Sequence, residues 1–215
     1  MPINLTLADD NFADLVSQAS AAIRSGGIAI LAAEHGYLYL CDAFNNDRIA
    51  RIHALRGDAP FTAAQVMIGD AKVLKGLTTD FDSDLQTLTD RFWPGLLSLQ
   101  LTPQGSLNWD LGDKGELDSI VVRVPARDLL REVVSATGPV AVASVSRAGE
   151  RVTRELSEIS SVAPDIAITV DEGALPEGPA STLLGRRQGR GPLSILREGA
   201  ISRADLAELV PTIGA

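Results

Sequence analysis

The chain has 215 residues, 45% hydrophobic and 22% charged, a profile of folded globular proteins rather than disordered chains. Its single cysteine, Cys41, excludes an internal disulfide and a cysteine-built zinc site. A net charge of −9 without a basic tail disfavours long-range attraction to nucleic acid or an anionic membrane, and no apolar run approaches the ~18 residues of a membrane span.

The first residues, MPINLTLADDNF, carry acids where a signal peptide is basic, so the expectation is a soluble, cytoplasmic protein. Residues 8–25 read as an amphipathic helix: Phe12, Leu15, Val16, Ala19 and Ile23 recur at helical spacing, and Asp9 or Asp10 can cap it. Gly26-Gly27 ends that helix and 27–33 follows as a buried strand. A second helix at 46–56 puts Ile49, Ile52 and Leu55 on one face, and 63–69 is a strand. Two more helices fit before Trp93-Pro94-Gly95, where Pro and Gly force a stop. Strands at 96–101 and 119–124 flank a polar loop, and a helix at 126–137 leads to a strand at 140–144. A loop with a short helix fills 149–162, and 167–170 is a strand. Strands at 181–185 and 192–197 make a hairpin with a basic tip, and a helix at 202–209 closes the chain. Alternating helices and strands without a linker or repeat predict one α/β domain over 1–215, a twisted mixed sheet flanked by helices.

Common catalytic motifs are absent: there is no GxxxxGK[ST] loop, HExxH, GxSxG or strand-linked GxGxxG. His53, beside the apolar face of its helix, reads as a packing or surface residue. His35 follows Glu34 at the end of a buried strand, where α/β sheets bind ligands, and the pair could act as acid and base. Cys41 reads as a buried core thiol, and Phe92 and Trp93 as packing anchors. Arg is heavily favoured over the three lysines Lys72, Lys75 and Lys114, and Arg186, Arg187 and Arg190 cluster at the hairpin tip. That cluster is either a solvated turn or an anion contact.

Several segments in order resemble the YrdC-like domain of threonylcarbamoyl-AMP synthases and their YciO-type paralogues. GGIAILAAEHGYLYLCDAF (26–44) is similar to the family's glycine pair, strand and Pro-Thr-Asp/Glu-Thr signature. RIARIHALRG (48–57), RFWPGLLSLQL (91–101), VVRVP (121–125), VASVSRAGE (142–150), STLL (181–184) and ILREGAIS (195–202) follow in the family's order, so the resemblance covers about 8–205. It implies a concave ligand-binding face and a reaction joining L-threonine, bicarbonate and ATP, with Mg²⁺ on the ATP, into threonylcarbamoyl-AMP for modification of adenosine 37 of tRNA. No intrinsic cofactor is implied. Nucleotide or double-stranded RNA binding is also implied. For the substrate, Arg123 matches the arginine that grips the threonine carboxylate, Ser181 a substrate-side hydroxyl, and Glu34 and Tyr37 fit the first signature, with His35 in place of a Thr. For the nucleotide, Arg56 stands for the Lys of Lys-x-Arg, Ser119 keeps a hydroxyl, Ser144 and Ser146 take the Ser-x-Asn positions, and Arg197 matches an arginine near ATP.

The departures are concentrated on one side. Ala32-Ala33 replace Pro-Thr, Leu38 and Leu40 replace glycines, and Asp58 stands where an arginine is expected beside the triphosphate. At ~4 Å and an effective dielectric near 20, that reversal moves the interaction by roughly 8 kcal/mol before screening. Two functions stay open: a ligase-type enzyme, or a silent paralogue binding nucleotide, RNA or a protein partner without synthesis.

Overall fold

The computed structural model describes residues 3–116, 118–159, 162–186 and 191–213. Among them, ten strands form one mixed sheet: β1 (Ile3–Thr6), β2 (Ile28–Ala32), β3 (Tyr37–Asp42), β4 (Gln65–Met67), β5 (Leu97–Leu101), β6 (Ile120–Arg123), β7 (Val140–Ser144), β8 (Ile166–Asp171), β9 (Thr182–Arg186) and β10 (Leu193–Arg197). Their spatial order is β1-β8-β2-β3-β7-β4-β6-β5-β9-β10. Six helices accompany them: α1 (Phe12–Arg24), α2 (Asn46–Arg56), α3 (Leu74–Leu77), α4 (Ser83–Phe92), α5 (Asp128–Thr137) and α6 (Arg203–Leu209). The α/β class and the mixed sheet are therefore as expected.

Burial on both faces explains why the central strands read as unbroken apolar runs. In β2, Ile28, Ile30 and Ala32 enter one core while Ala29 and Leu31 enter the other. Leu15, Ala19 and Ile23 of α1 and Leu129, Leu130, Val133 and Val134 of α5 cover one face. Ile49 and Ile52 of α2, Leu85 and Leu88 of α4 and Leu206 of α6 cover the other. Each such Leu, Ile or Val side chain, fully buried, contributes about 1.5–3 kcal/mol. Cys41 sits in the second core, where burial pushes its thiol up to about 12, so it is chemically quiet.

One local expectation is corrected and two are made specific. Helix α1 starts at Phe12 behind Asn11, and neither Asp9 nor Asp10 caps it. In the 149–162 stretch, the described residues contain only a 3₁₀ turn at Leu156–Glu158. The basic hairpin tip is partly accounted for: Arg186 of β9 pairs with Asp82 and donates to the Gly191 carbonyl, while Arg187 and Arg190 lie outside the described residues.

The strand directions set the site's residues in two groups. The C-terminal ends of β2 and β7 lie beside the N-terminal end of β3, while the C-terminal end of β6 lies with the N-terminal ends of β5 and β9 toward the opposite end of the strands.

Candidate functional site

Helices α1 and α5 leave part of their face of the sheet uncovered. There, Leu38, Gln65, Met67, Arg123, Val142 and Ser144 border a cavity of about 520 Å³, walled also by 33–36, 151–154 and 177–181. That size suits a small-molecule ligand.

Arg123, at the end of β6, is the buried cation of this cavity. Its Nη1 donates to Glu34 Oε1 at 2.6 Å, with the two side chains only 6% and 13% exposed. The Ala126 amide donates to the same oxygen at 2.8 Å. Burial works against the charged carboxyl, yet Arg123's charge and hydrogen bond, with the Ala126 amide, hold Glu34 below its ordinary value of 4.5. No described residue accepts from Arg123 Nε or Nη2, so three of its five N–H donors have no protein acceptor.

Asp58 does not present a bare negative charge to the cavity. Gly57 caps α2 in the left-handed conformation (φ 68°) and turns the chain back, so the Asp58 amide donates to the His53 carbonyl. The Asp58 carboxylate, 6% exposed, then takes hydrogen bonds from His53 Nδ1 at 2.8 Å and Arg56 Nε at 3.0 Å. His53 Nε2 lies 2.8 Å from the Leu111 carbonyl, so the ring is held at both nitrogens. The expected repulsion is thereby compensated within the protein. His53 lines the cavity and belongs to this cluster, a role its place on the helix did not reveal.

Of the residues expected at the site, the structure brings Glu34, His35, Arg56, Arg123, Ser144 and Ser181 to the cavity. Ser181 Oγ lies 2.7 Å from Ser98 Oγ, which accepts from Gln65 Nε2, and either hydroxyl can donate to the other. Tyr37, Ser119, Ser146 and Arg197 lie outside the cavity lining. Arg197 reaches Ser181, donating to its carbonyl at 2.9 Å and its hydroxyl at 3.0 Å. Ser119 accepts from Gln100, and Ser146 Oγ accepts from the Thr153 amide at 2.8 Å, stapling the loop after β7.

Tyr37 is fully buried and its hydroxyl donates to Asp171 Oδ1 and the Gly173 carbonyl while accepting from the Glu172 amide. Burial first, then Asp171, raise its pKa, so it stays neutral. Tyr37→Phe is expected to cost about 1–3 kcal/mol in urea unfolding and to leave ligand affinity at the cavity unchanged. A loss of affinity without loss of stability would place the hydroxyl in the site.

Arg151, Arg154 and Glu177 also line the cavity, and no motif had pointed to them. The signal in the sequence is only that two arginines, three apart, follow the family's Ser-x-Asn position. His35 Nδ1 lies 3.1 Å from the Pro176 carbonyl, and Gly178 packs on its ring, where a Cβ would come within 2.3 Å. That contact makes His35 a wall of the cavity.

Comparison with known proteins places this fold. The family model Sua5/YciO/YrdC, described as "Telomere recombination", matches residues 21–199. A Mycobacterium leprae protein with a provisional threonylcarbamoyl-AMP synthase name is 27% identical over 201 residues, 93% of this chain and 90% of that protein. The threonylcarbamoyl-AMP synthase of Bacillus subtilis is 26% identical over 200 residues, 92% of this chain but 57% of that protein. Among solved structures, P. abyssi Sua5 complexed with L-threonine superposes with TM-score 0.85 at 21% identity, covering 99% of this chain and 62% of Sua5. E. coli YciO superposes with TM-score 0.79 at 18% identity, covering 96% of this chain and 98% of YciO. The chain thus spans less than two thirds of Sua5 and nearly all of YciO.

Proposed function

This chain belongs to the Sua5/YciO/YrdC family, and from that premise we propose that its cavity binds an adenine nucleotide and L-threonine and joins them, with bicarbonate, into threonylcarbamoyl-AMP. It is a divergent YrdC-like protein, and its curated relatives carry the threonylcarbamoyl-AMP synthase name. The observation that carries the proposal is Arg123: a buried guanidinium with unspent donors, bordering a cavity of about 520 Å³.

In this reading, Arg123 Nε and Nη2 take the threonine carboxylate as a bidentate pair. Threonine's amine and bicarbonate give a carbamate with loss of water. A carbamate oxygen then attacks the α-phosphorus, the α–β anhydride bond breaks, and pyrophosphate leaves with its electron pair. The protein's part is positioning and charge neutralisation, with Arg123 supplying charge and Ser144 and Ser181 bordering the reacting groups. Mg²⁺ would arrive on the triphosphate. Glu34 and Asp58 each face an arginine, and among the described residues no group of three or more His, Cys, Asp or Glu could hold a metal ion.

No helix among the described residues is long and apolar enough to cross a membrane. Use of the product on tRNA, drawn from the resemblance, would place the protein in the cytoplasm. Double-stranded RNA is left out of the proposal, because the charge is −9 and nothing at the cavity selects for it.

Calorimetric titration with ATP and with L-threonine tests the binding half. Both are expected to bind, threonine more tightly when ATP is present; a folded chain that binds neither overturns the proposal. A second reading, binding without synthesis, draws support from Ala33, which lacks the family's hydroxyl, and from Arg56, whose Nε is committed to Asp58.

A further inference from the structure

We propose that the β- and γ-phosphates of the bound nucleotide are held by Arg151 and Arg154, so that the phosphate clamp sits on the loop after β7 rather than on residues 56–58. This rests on the nucleotide reading of the cavity. A phosphate chain needs cations whose donors are not already spent. Arg123 and Arg56 line the cavity, but each already neutralises a buried carboxylate, Glu34 at 2.6 Å and Asp58 at 3.0 Å. A second anion at either must share the cation.

Arg151 and Arg154 border the same cavity, and neither faces a carboxylate as buried as those at Arg123 and Arg56. The Arg151 side chain is 69% exposed and its partner, Glu158, sits at 3.0 Å. Arg154 Nη1 lies 3.8 Å from Glu177 Oε2, beyond hydrogen-bonding distance, and Glu177 is 88% exposed. The Arg154–Glu177 pair is solvated and contributes little, so an incoming phosphate displaces Glu177 at small cost. Glu158, 30% exposed and also accepting from the Arg154 amide, stays in place while Arg151 turns its remaining donors to the anion.

The backbone beneath the two arginines is fixed. The Tyr37 amide donates to the Thr153 carbonyl at 3.0 Å, the Leu175 amide to the Arg154 carbonyl at 3.0 Å, and the Thr153 amide to Ser146 Oγ at 2.8 Å. Gly36 lets the segment close on β3: a Cβ there would lie 2.2 Å from Val152 Cγ1 and 3.3 Å from the Thr153 carbonyl. A rigid frame carrying two planar forks, one on Glu158 by a single hydrogen bond and one without a hydrogen-bonded carboxylate, is suited to a polyphosphate.

The test is calorimetric titration of the full chain with inorganic pyrophosphate, ATP and AMP, for the unaltered protein, Arg151→Ala, Arg154→Ala and the double variant. Both side chains are at the surface of the loop, and thermal melting confirms that each variant is folded. Each single variant is expected to lose about 10-fold in pyrophosphate and ATP affinity, and the double about 100-fold, with AMP changed less than about threefold. Glu177→Gln, which releases Arg154, is expected to tighten pyrophosphate about threefold. Pyrophosphate affinity that survives in the double variant but vanishes in Arg56→Ala overturns the proposal, as does an unaltered protein that takes up no pyrophosphate. Pyrophosphate binding that needs both arginines, in a chain that binds no ATP, supports the anion site and sinks the nucleotide reading instead.

Discussion

Arg123→Met is expected to destabilise the fold by about 3–5 kcal/mol and, in the same variant, to abolish threonine binding. The methionine fills much of the same space, but it leaves the Glu34 carboxylate, 13% exposed, with the Ala126 amide and no cation. Removing one member of a buried pair costs more than the pair contributes, because the other charge remains desolvated. The sign of the pH dependence follows from Glu34. Its folded pKa lies below 4.5, so the pair contributes stability above pH 4.5 and loses it as pH falls through the lowered value. In the variant only burial acts strongly, the pKa moves up, and protonation relieves the strain. The stability gap between the two proteins should therefore be widest near neutral pH and narrow in acid, as read by urea unfolding. Adding Glu34→Gln should restore much of the stability without restoring threonine binding. A gap that does not change with pH would mean that the lost contribution is packing and not charge.

Asp58→Arg should also be severe, at about 3 kcal/mol or more, and should not tighten nucleotide binding. Charge counting along the sequence suggests the opposite, since an arginine at this position would complete the family's phosphate cradle. In the fold, however, Asp58 is the buried anion between Arg56 and His53. An arginine there puts a second guanidinium beside Arg56, which has lost its counter-charge, and removes the partner of His53 Nδ1, in a space sized for a short side chain. Asp58→Asn keeps the size and removes the charge. It should cost about 1–2 kcal/mol and strengthen anion binding several-fold by releasing Arg56. An Asp58→Arg protein as stable as the unaltered chain would show that this cluster does not carry the charge balance described.

The contrast at Asp58 shows what was readable and what was not. Ile49, Ile52 and Leu55 mark α2, and its bounds, 46–56, are those expected from their spacing. The αL turn at Gly57 is also a common helix ending. The consequence, that Asp58 folds back five residues to His53 rather than out toward a ligand, depends on three-dimensional direction and leaves no periodic trace. Strand β1 went unread because its four residues are largely exposed and pair only with β8, about 165 positions away. Strand β3, YLYLCD, is buried on both faces between β2 and β7, so it lacks the alternation that marks a half-buried strand. Glu34 and His35 were legible as a strand-end pair, but the partner of Glu34 is 89 residues distant. Tyr37 and Ser146 sit in motif positions and serve the frame, Tyr37 through Asp171 and Gly173, Ser146 through Thr153. Arg151 and Arg154 reach the cavity only because their loop is pinned to Tyr37 and Leu175.

The most direct measurement of whether this cavity makes threonylcarbamoyl-AMP is a single mixture followed by mass spectrometry: the full chain with ATP, Mg²⁺, L-threonine and ¹³C-labelled bicarbonate. The expected result is threonylcarbamoyl-AMP carrying the label, with pyrophosphate released in equal amount, and loss of both in a folded Arg123→Met/Glu34→Gln protein. A folded, unaltered chain that binds ATP and L-threonine to saturation yet forms no labelled product would contradict the synthase proposal and leave a binding protein in its place.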